Sequence, residues 1–304
     1  MQLGLLTAIL PDNTIEQVID YAADVGYRCL EVACWPREKA VRRYSGVTHI
    51  DIERLNEDRI QEIQASCNRR GIEISALCYY PNPLSPDPAV RKASTAHIKK
   101  LILAAKKMGV RRVNTFIGKD KTKTVAENFA LFDAVWPEII GLAEENQIYI
   151  GIENCPMYFT QDEWPGGNNL ASTPEIWETM FSKIDSPYFG LNYDPSHLYL
   201  QHMDYIKPLY TFRNRIFHVH FKDIKISQEK LDRCGIFAPP LSYLSPKIPG
   251  LGGIDWRAFI SALYDIGYDG PACVEIEDKA FEGSHEQILK AIAYSYRYLS
   301  SFVG

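Results

Sequence analysis

The sequence predicts an α/β protein, a single (β/α)8 TIM barrel over residues 1–304 with a long loop after strand 7. Three observations lead there. A unit recurs along the chain: an amphipathic helical stretch, a Gly or Asn suited to the left-handed residue that closes a helix, then a short β-rich run. The β-rich runs are apolar on both faces, as in a parallel sheet covered by helices. Eight such runs fit within 304 residues, which is the strand count and length of a βα barrel.

Taken in order, the first run spans 2–10. It leads into Thr7-Ala8-Ile9-Leu10-Pro11 rather than a glycine fingerprint, which weakens the rival doubly wound dinucleotide fold. Helical periodicity over 14–25 ends at Gly26 and leads into the run 29–34; a second helix, 52–70, ends at Gly71 before 73–80. Helix 88–108 stops at Gly109 before 112–118, and helix 125–145 stops at Asn146 before 149–154. Helix 174–184 precedes the run 189–194, which is followed by 216–223. The stretch 224–253 has no period and carries Pro239, Pro240, Pro246 and Pro249; it is the expected long loop, of a length that usually serves as a lid or binding segment. Its glycines at 250, 252 and 253 follow no strand directly and read as loop rather than phosphate cradle. Helix 255–266, Gly267, the run 272–278 and helix 284–300 complete the pattern.

Bulk properties narrow the function. A net charge of -5 leaves no electrostatic footprint for nucleic acid or an anionic membrane. No apolar run approaches the ~20 residues that span a bilayer, and the first residues lack the basic region and cleavage site of a signal peptide. The seven cysteines, Cys29, Cys34, Cys67, Cys78, Cys155, Cys234 and Cys273, are odd in number and form no CxxC pair. Several lie inside apolar strand-like runs and read as small hydrophobes, and a reducing cytoplasm is expected. The oligomeric state is left open, a homo-oligomer included.

Four of the later runs finish on a residue that can bind a metal: Glu153, Asp194 (with His197 three residues on), His220 and Glu275. An ionisable group at the end of a buried strand is costly unless paired or metal-bound. Each alone could be a salt-bridged carboxylate or a satisfied core histidine, but four in succession imply one shared site. Strand alternation agrees, since Asn192 and Asp194 share a face, as do His218, His220 and Lys222, and Cys273, Glu275 and Glu277. Two Glu, one Asp and one His suit a single divalent ion, Mn²⁺ foremost, with Mg²⁺, Co²⁺ or Zn²⁺ as alternatives. Such an ion polarises a carbonyl or hydroxyl, and a carboxylate beside it can move the proton α to the carbonyl. A polyol or ketose fits that chemistry.

Other residues carry two readings each. His218, one layer deeper than His220, reads as core or as support behind the ligands, not as a ligand itself. Lys222 is either a substrate contact or a salt bridge to Asp223 or Glu277. Trp35, Tyr79 and Tyr80 follow strands and either stack on a sugar ring or pack between loops. His97, His202 and His285 lie in helical stretches and are expected at the surface. With no phosphate cradle near the last two strands, an unphosphorylated substrate is expected.

Several motifs resemble the xylose isomerase-like TIM-barrel group, often called sugar phosphate isomerase/epimerase. They are Glu153, Asp194-Pro195-Ser196-His197, His218-Val219-His220-Phe221-Lys222-Asp223, Pro249-Gly250-Leu251-Gly252-Gly253-Ile254-Asp255-Trp256, and Tyr268-Asp269-Gly270-Pro271 leading to Glu275. Earlier, His49-Ile50-Asp51 and Tyr79-Tyr80-Pro81-Asn82-Pro83-Leu84 resemble it too, so the likeness covers nearly the whole chain. The resemblance implies a metal-dependent sugar isomerase or epimerase working through a metal-stabilised enediolate. Glu153, Asp194, His220 and Glu275 would be the metal ligands, Glu153 and Glu275 the acid/base pair, and His197 the holder of a substrate hydroxyl, with Lys222, Trp35 and Tyr80 as further substrate contacts. The alternative is a lyase or dehydratase acting on a keto-sugar, keto-inositol or 3-keto-glycoside with the same site. The apurinic endonuclease branch needs further histidines where this chain has Tyr79-Tyr80, Phe116-Ile117-Gly118 and Ile224-Lys225-Ile226-Ser227, so a small-molecule partner is expected, not nucleic acid.

Overall fold

The computed structural model describes residues 1–37, 45–157 and 167–303. The chain runs β1 (Gln2–Leu6), α1 (Ile15–Val25), β2 (Cys29–Ala33), α2 (Glu57–Arg70), β3 (Glu73–Cys78), α3 (Pro88–Met108) and β4 (Arg112–Thr115). It continues through α4 (Val125–Asn146), β5 (Tyr149–Glu153), α5 (Pro174–Lys183), β6 (Phe189–Tyr193), α6 (Ser196–Tyr199), α7 (Lys207–Thr211) and β7 (Ile216–Phe221). The last part holds β8 (Asp223–Ile226), α8 (Gln228–Cys234), β9 (Leu244–Lys247), α9 (Trp256–Asp265), β10 (Pro271–Val274) and α10 (His285–Leu299). Strands β1, β10, β7, β6, β5, β4, β3 and β2 close in that order into a barrel whose neighbours all pair in parallel. This is the predicted (β/α)8 TIM barrel.

Local sequence explains the elements. In α1, Thr14 accepts from the Gln17 backbone N–H while the Gln17 side chain accepts from the Thr14 N–H, a reciprocal cap of the kind worth about 1 kcal/mol. Ile15, Val18, Ile19 and Ala22 then form one buried stripe against the barrel. Strands β2, β6 and β10 are buried at every position, because helices cover one face and the barrel interior the other. Aromatic rings fill the strand–helix layer; Trp136 of α4 stacks on Phe189 of β6 at 6.0 Å, and Trp177 of α5 meets Tyr193 edge-on at 5.9 Å.

The structure departs from expectation at four places. The helix expected over 52–70 begins at Glu57, capped by the Asn56 side chain, which accepts from the Arg59 N–H at 2.9 Å. The left-handed residue after α4 is Gln147, φ 58°, and not Asn146, which is the last helical residue. The segment 224–253 is no structureless loop: β8 and β9 form an antiparallel ribbon, Ile224 opposite Pro246, with α8 between them. His97 is buried, its Nε2 2.8 Å from the Cys34 carbonyl oxygen and its ring edge-on to Tyr79 at 4.6 Å, because its position on α3 faces the barrel. His202 and His285 are exposed, His202 in a turn after α6. No helix among the described residues is long and apolar enough to cross a membrane.

Candidate metal centre

The barrel brings the site together at the ends of its strands. Glu153 ends β5, Asp194 follows β6, His220 is the penultimate residue of β7 and Glu275 follows β10, so all four emerge at the carboxyl ends of the strands. One ligand-capable atom from each lies within 4.8 Å of the others, and all four residues are buried. The His220 Nδ1 is 3.2 Å from Glu275 Oε2 and 3.8 Å from Glu153 Oε1.

The polar atoms at the centre are not aimed at one another. Asp194 Oδ2, His220 Nδ1 and Glu275 Oε2 are buried and lack an aligned hydrogen-bond partner among the described residues. Three carboxylates and one imidazole converging with unused lone pairs match the donor set of a divalent ion. The residues present therefore fit a metal.

Neighbours hold the four in place. Asp194 is pinned on both sides: its N–H donates to Asn154 Oδ1 at 2.8 Å, and its Oδ1 accepts from the Ser196 N–H at 2.7 Å. Asn169 Nδ2 donates to the carbonyl oxygens of Glu153 and Cys155, fixing the end of β5. His197, which the family resemblance gives as a substrate contact, has its Nε2 3.1 Å from Glu153 Oε1 and 3.2 Å from Asp194 Oδ2. Lys222 pairs with Glu277 at 2.9 Å and Glu275 at 3.3 Å, not with Asp223. Asp223 turns away and accepts from the N–H groups of Ile224, Gly250, Gly252 and Ile254 and from the Trp256 indole. A Cβ at Gly252 would collide with that carboxylate, which explains the glycine.

Electrostatics split the carboxylates. Burial pushes the Glu153 carboxyl up, but the hydrogen bond from His197 and the charges of His220 and His197 outweigh it and hold it at about 2. Burial also raises Asp194, and the neighbouring charges of Glu275 and Glu153 add to that, leaving it at about 6. Glu275 is lowered because Lys222 offsets its burial. Burial works against the charged forms of His220 and Lys222, yet the surrounding carboxylates raise both well above their ordinary values.

Tyr80 stands beside the site, its ring 6.3 Å from the His220 ring, and Trp35 packs on Tyr80 at 5.9 Å; both are buried. The Tyr80 hydroxyl donates to Glu31 Oε1 and accepts from Asn192 Nδ2 at 3.0 Å. Tyr79 packs edge-on to Trp35 at 5.7 Å. His218 is core, as expected, with Nδ1 2.9 Å from Asn192 Oδ1 and Nε2 3.2 Å from Ser75 Oγ. His49 is buried between Thr7 Oγ1 and the Leu10 carbonyl oxygen, where it braces the turn after β1.

One residue escaped the sequence reading. Glu31, midway along β2 and fully buried, has Oε2 2.7 Å from His220 Nε2 and 3.6 Å from His218 Nδ1. Burial raises its carboxyl, but His220 and His218 hold it at about 2. The available signal was a lone carboxylate inside the apolar run Cys29-Leu30-Glu31-Val32-Ala33.

Comparison with known proteins follows the same line. Inosose dehydratase of Geobacillus thermodenitrificans is 32% identical over 140 residues, which cover 42% of this chain and 44% of that relative. The matched part is thus less than half of that protein's length. The structure of D-psicose 3-epimerase with D-tagatose from Clostridium cellulolyticum H10 matches with a TM-score of 0.72 at 18% identity, covering 100% of this chain and 99% of that one. The IOLI protein with a binding zinc atom matches with the same TM-score, 0.72, at 18% identity over 100% of both chains. At such identities these structures show a common fold. The profile of the xylose isomerase-like TIM barrel matches residues 19–298, and the chain belongs to that family.

Proposed function

We propose that this chain is a single-domain, divalent-metal-dependent sugar isomerase or epimerase that transfers a proton α to a carbonyl. One observation carries the reading: Glu153 Oε1 and Glu275 Oε2 stand 3.8 and 3.2 Å from the same buried nitrogen, His220 Nδ1. Glu153, Asp194, His220 and Glu275 would hold the ion, which when bound supplies positive charge to polarise a substrate carbonyl or hydroxyl.

The residues then divide the work. One of Glu153 and Glu275 takes the proton from the carbon next to the carbonyl; the C–H electron pair forms a C=C bond and the carbonyl π pair moves to oxygen, giving an enediolate. Return of a proton to the opposite face from the other carboxylate, which takes that proton up from solvent, inverts the carbon; return to the former carbonyl carbon, with the neighbouring hydroxyl proton passing to the former carbonyl oxygen, moves the carbonyl. Lys222, buried against Glu275, keeps that carboxylate ionised and ready to act as base. Trp35 and Tyr80 wall the site and exclude water from the enediolate. The seven unpaired cysteines support a reducing, cytoplasmic location.

The test is incubation of Mn²⁺-loaded protein with a panel of ketoses, aldoses and keto-inositols in D₂O. Deuterium should enter the carbon α to the carbonyl. Absence of exchange across the whole panel rejects the proposal. A second reading, dehydration of a keto-inositol, is favoured by the 32% identity to an inosose dehydratase. It shares the enolisation and differs in expelling a β-hydroxyl as water, so appearance of an unsaturated ketone in the ultraviolet separates the two.

A further inference from the structure

Below the four converging groups lies a buried polar layer that the proposed chemistry does not use. Glu31 Oε1 accepts from the Tyr80 hydroxyl, and its Oε2 is 2.7 Å from His220 Nε2. The other ring nitrogen of His220, Nδ1, is the one that faces Glu153 and Glu275. A carboxylate on one side of the ring and a cluster of would-be ligands on the other make the location of the ring hydrogen decisive.

Two partners compete for Nε2. Glu31 Oε2 requires a hydrogen on Nε2, because a bare lone pair 2.7 Å from a carboxylate oxygen is repulsive. Asn192 Nδ2, 3.0 Å away, could instead donate to a bare Nε2, which would force the hydrogen onto Nδ1 and close that atom to a metal. The carboxylate wins on strength, since a charge-assisted hydrogen bond is roughly twice as strong as a neutral one. The amide also has somewhere else to go. Its Nδ2 donates to the Tyr80 hydroxyl at 3.0 Å, and its Oδ1 faces His218 Nδ1 at 2.9 Å, so its orientation is set without His220.

We propose that Glu31 is a positioning residue that fixes the hydrogen of His220 on Nε2 and so leaves the Nδ1 lone pair turned toward Glu153, Asp194 and Glu275 as a ligand for the divalent ion. This rests on the metal reading given above. Tyr80 takes part through its hydroxyl, which holds the second oxygen of Glu31 and keeps the carboxylate in line with the imidazole. A carboxylate behind a ligating histidine raises its basicity and orients the ring, and loss of such a partner typically weakens metal binding about 10- to 100-fold.

The experiment uses the full chain, stripped of metal and titrated with Zn²⁺ against a chromophoric chelator, as wild type, E31Q and Y80F. Long-range ¹H–¹⁵N spectra of the Zn²⁺-loaded wild type report which His220 nitrogen carries hydrogen, with His218→Gln used for assignment. The expected results are Nε2 protonated and Nδ1 metal-bound in wild type, affinity lowered about 10- to 100-fold in E31Q, and a smaller loss in Y80F. Unchanged affinity in E31Q, or metal on Nε2, overturns the proposal while leaving the metal reading intact. If E31Q does not fold, the wild-type spectrum decides alone. A wild type that binds no Zn²⁺ rejects the metal reading, and the role of Glu31 falls with it.

Discussion

Lys222 Nζ lies 3.3 Å from Glu275 Oε1, and both side chains are buried at the end of adjacent strands. The pair holds a proposed base beside a permanent cation, with Glu277 as the second acceptor at 2.9 Å. Removing the cation while keeping bulk, as in Lys222→Met, strands two carboxylates in a low-dielectric pocket. Loss of one partner of a buried pair costs about 3–5 kcal/mol. We expect a lower melting temperature and an acid limb of the kcat/KM profile moved to higher pH, since Glu275 loses the charge that lowers it. Lys222→Arg should keep the limb in place. An unmoved limb in Lys222→Met would separate Lys222 from the protonation state of Glu275.

Chelation should affect fold and chemistry together. With Glu153, Asp194 and Glu275 converging, the empty site keeps like charges close, and an ion that binds the folded chain stabilises it by about 2.7 kcal/mol at 100 times its dissociation constant. EDTA is expected to abolish exchange into substrate and lower the melting temperature, and Mn²⁺ or Co²⁺ to restore both. A melting temperature indifferent to EDTA and to added metal would contradict the donor-set argument.

Proton and metal compete at this site, and the direction follows from Asp194. Its carboxyl is raised from an ordinary 3.8 to about 6 in the metal-free fold. A raised folded value means that its contribution to stability is present below about pH 4 and is lost as pH climbs through 6. Glu31 and Glu153, held at about 2, act oppositely: their contribution is present above about pH 4.5 and is lost as pH falls toward 2. The melting-temperature gain on adding Mn²⁺, measured by calorimetry, should therefore widen from about pH 5 upward, first as Asp194 becomes a free carboxylate and then as His220, raised well above its ordinary value, gives up the proton a metal must displace. Asp194→Asn should remove the first part of that widening and leave the second.

Asp223 offers a prediction away from the chemistry. One carboxylate collects four backbone N–H groups and the Trp256 indole, and so ties the 250–254 turn to the start of β8. Each buried donor left without a partner costs about 1–3 kcal/mol. Asp223→Ala should destabilise the protein by at least about 3 kcal/mol in urea denaturation, and Asp223→Asn by less, because it keeps one acceptor oxygen. Equal and small effects would mean that water replaces the carboxylate.

What the sequence disclosed depended on position within the elements. Glu153, Asp194, His220 and Glu275 were legible because each closes an apolar run, where a charged group needs a reason to be. The barrel was legible from Gly26, Gly71, Gly109 and Gly267, whose left-handed conformations close helices, each followed by its strand. Glu31 was hidden because it sits in the middle of a strand and finds its partner, His220, only when the barrel closes β2 near β7 across its interior. His97 was hidden because helical period says which residues share a face but not which face turns inward. The β8–β9 ribbon was hidden because Pro246 argues against a strand; it is accommodated on a two-stranded ribbon, where a strand needs to donate on one side alone.

The last prediction separates ligand from support around His197. Its Nε2 hydrogen-bonds Glu153 Oε1 at 3.1 Å and stands 3.2 Å from Asp194 Oδ2, within ion-pair range, so the ring contacts two proposed ligands at once. Its Nδ1 is buried without an aligned hydrogen-bond partner among the described residues, and the Cys155 thiol is close to the ring; the proposed role of that atom is to meet a substrate hydroxyl. Asp194→Asn removes a charge from the ion itself and should behave like chelated wild type, with little metal retained after dialysis. His197→Ala removes an orienting contact, so metal affinity should fall by about tenfold, while KM rises further than the metal loss explains when excess Mn²⁺ saturates the site. Metal content by atomic emission and KM at saturating Mn²⁺ are the two measurements. Equal metal loss in the two variants would make His197 a ligand; an unchanged KM in His197→Ala at saturating Mn²⁺ would remove it from substrate binding.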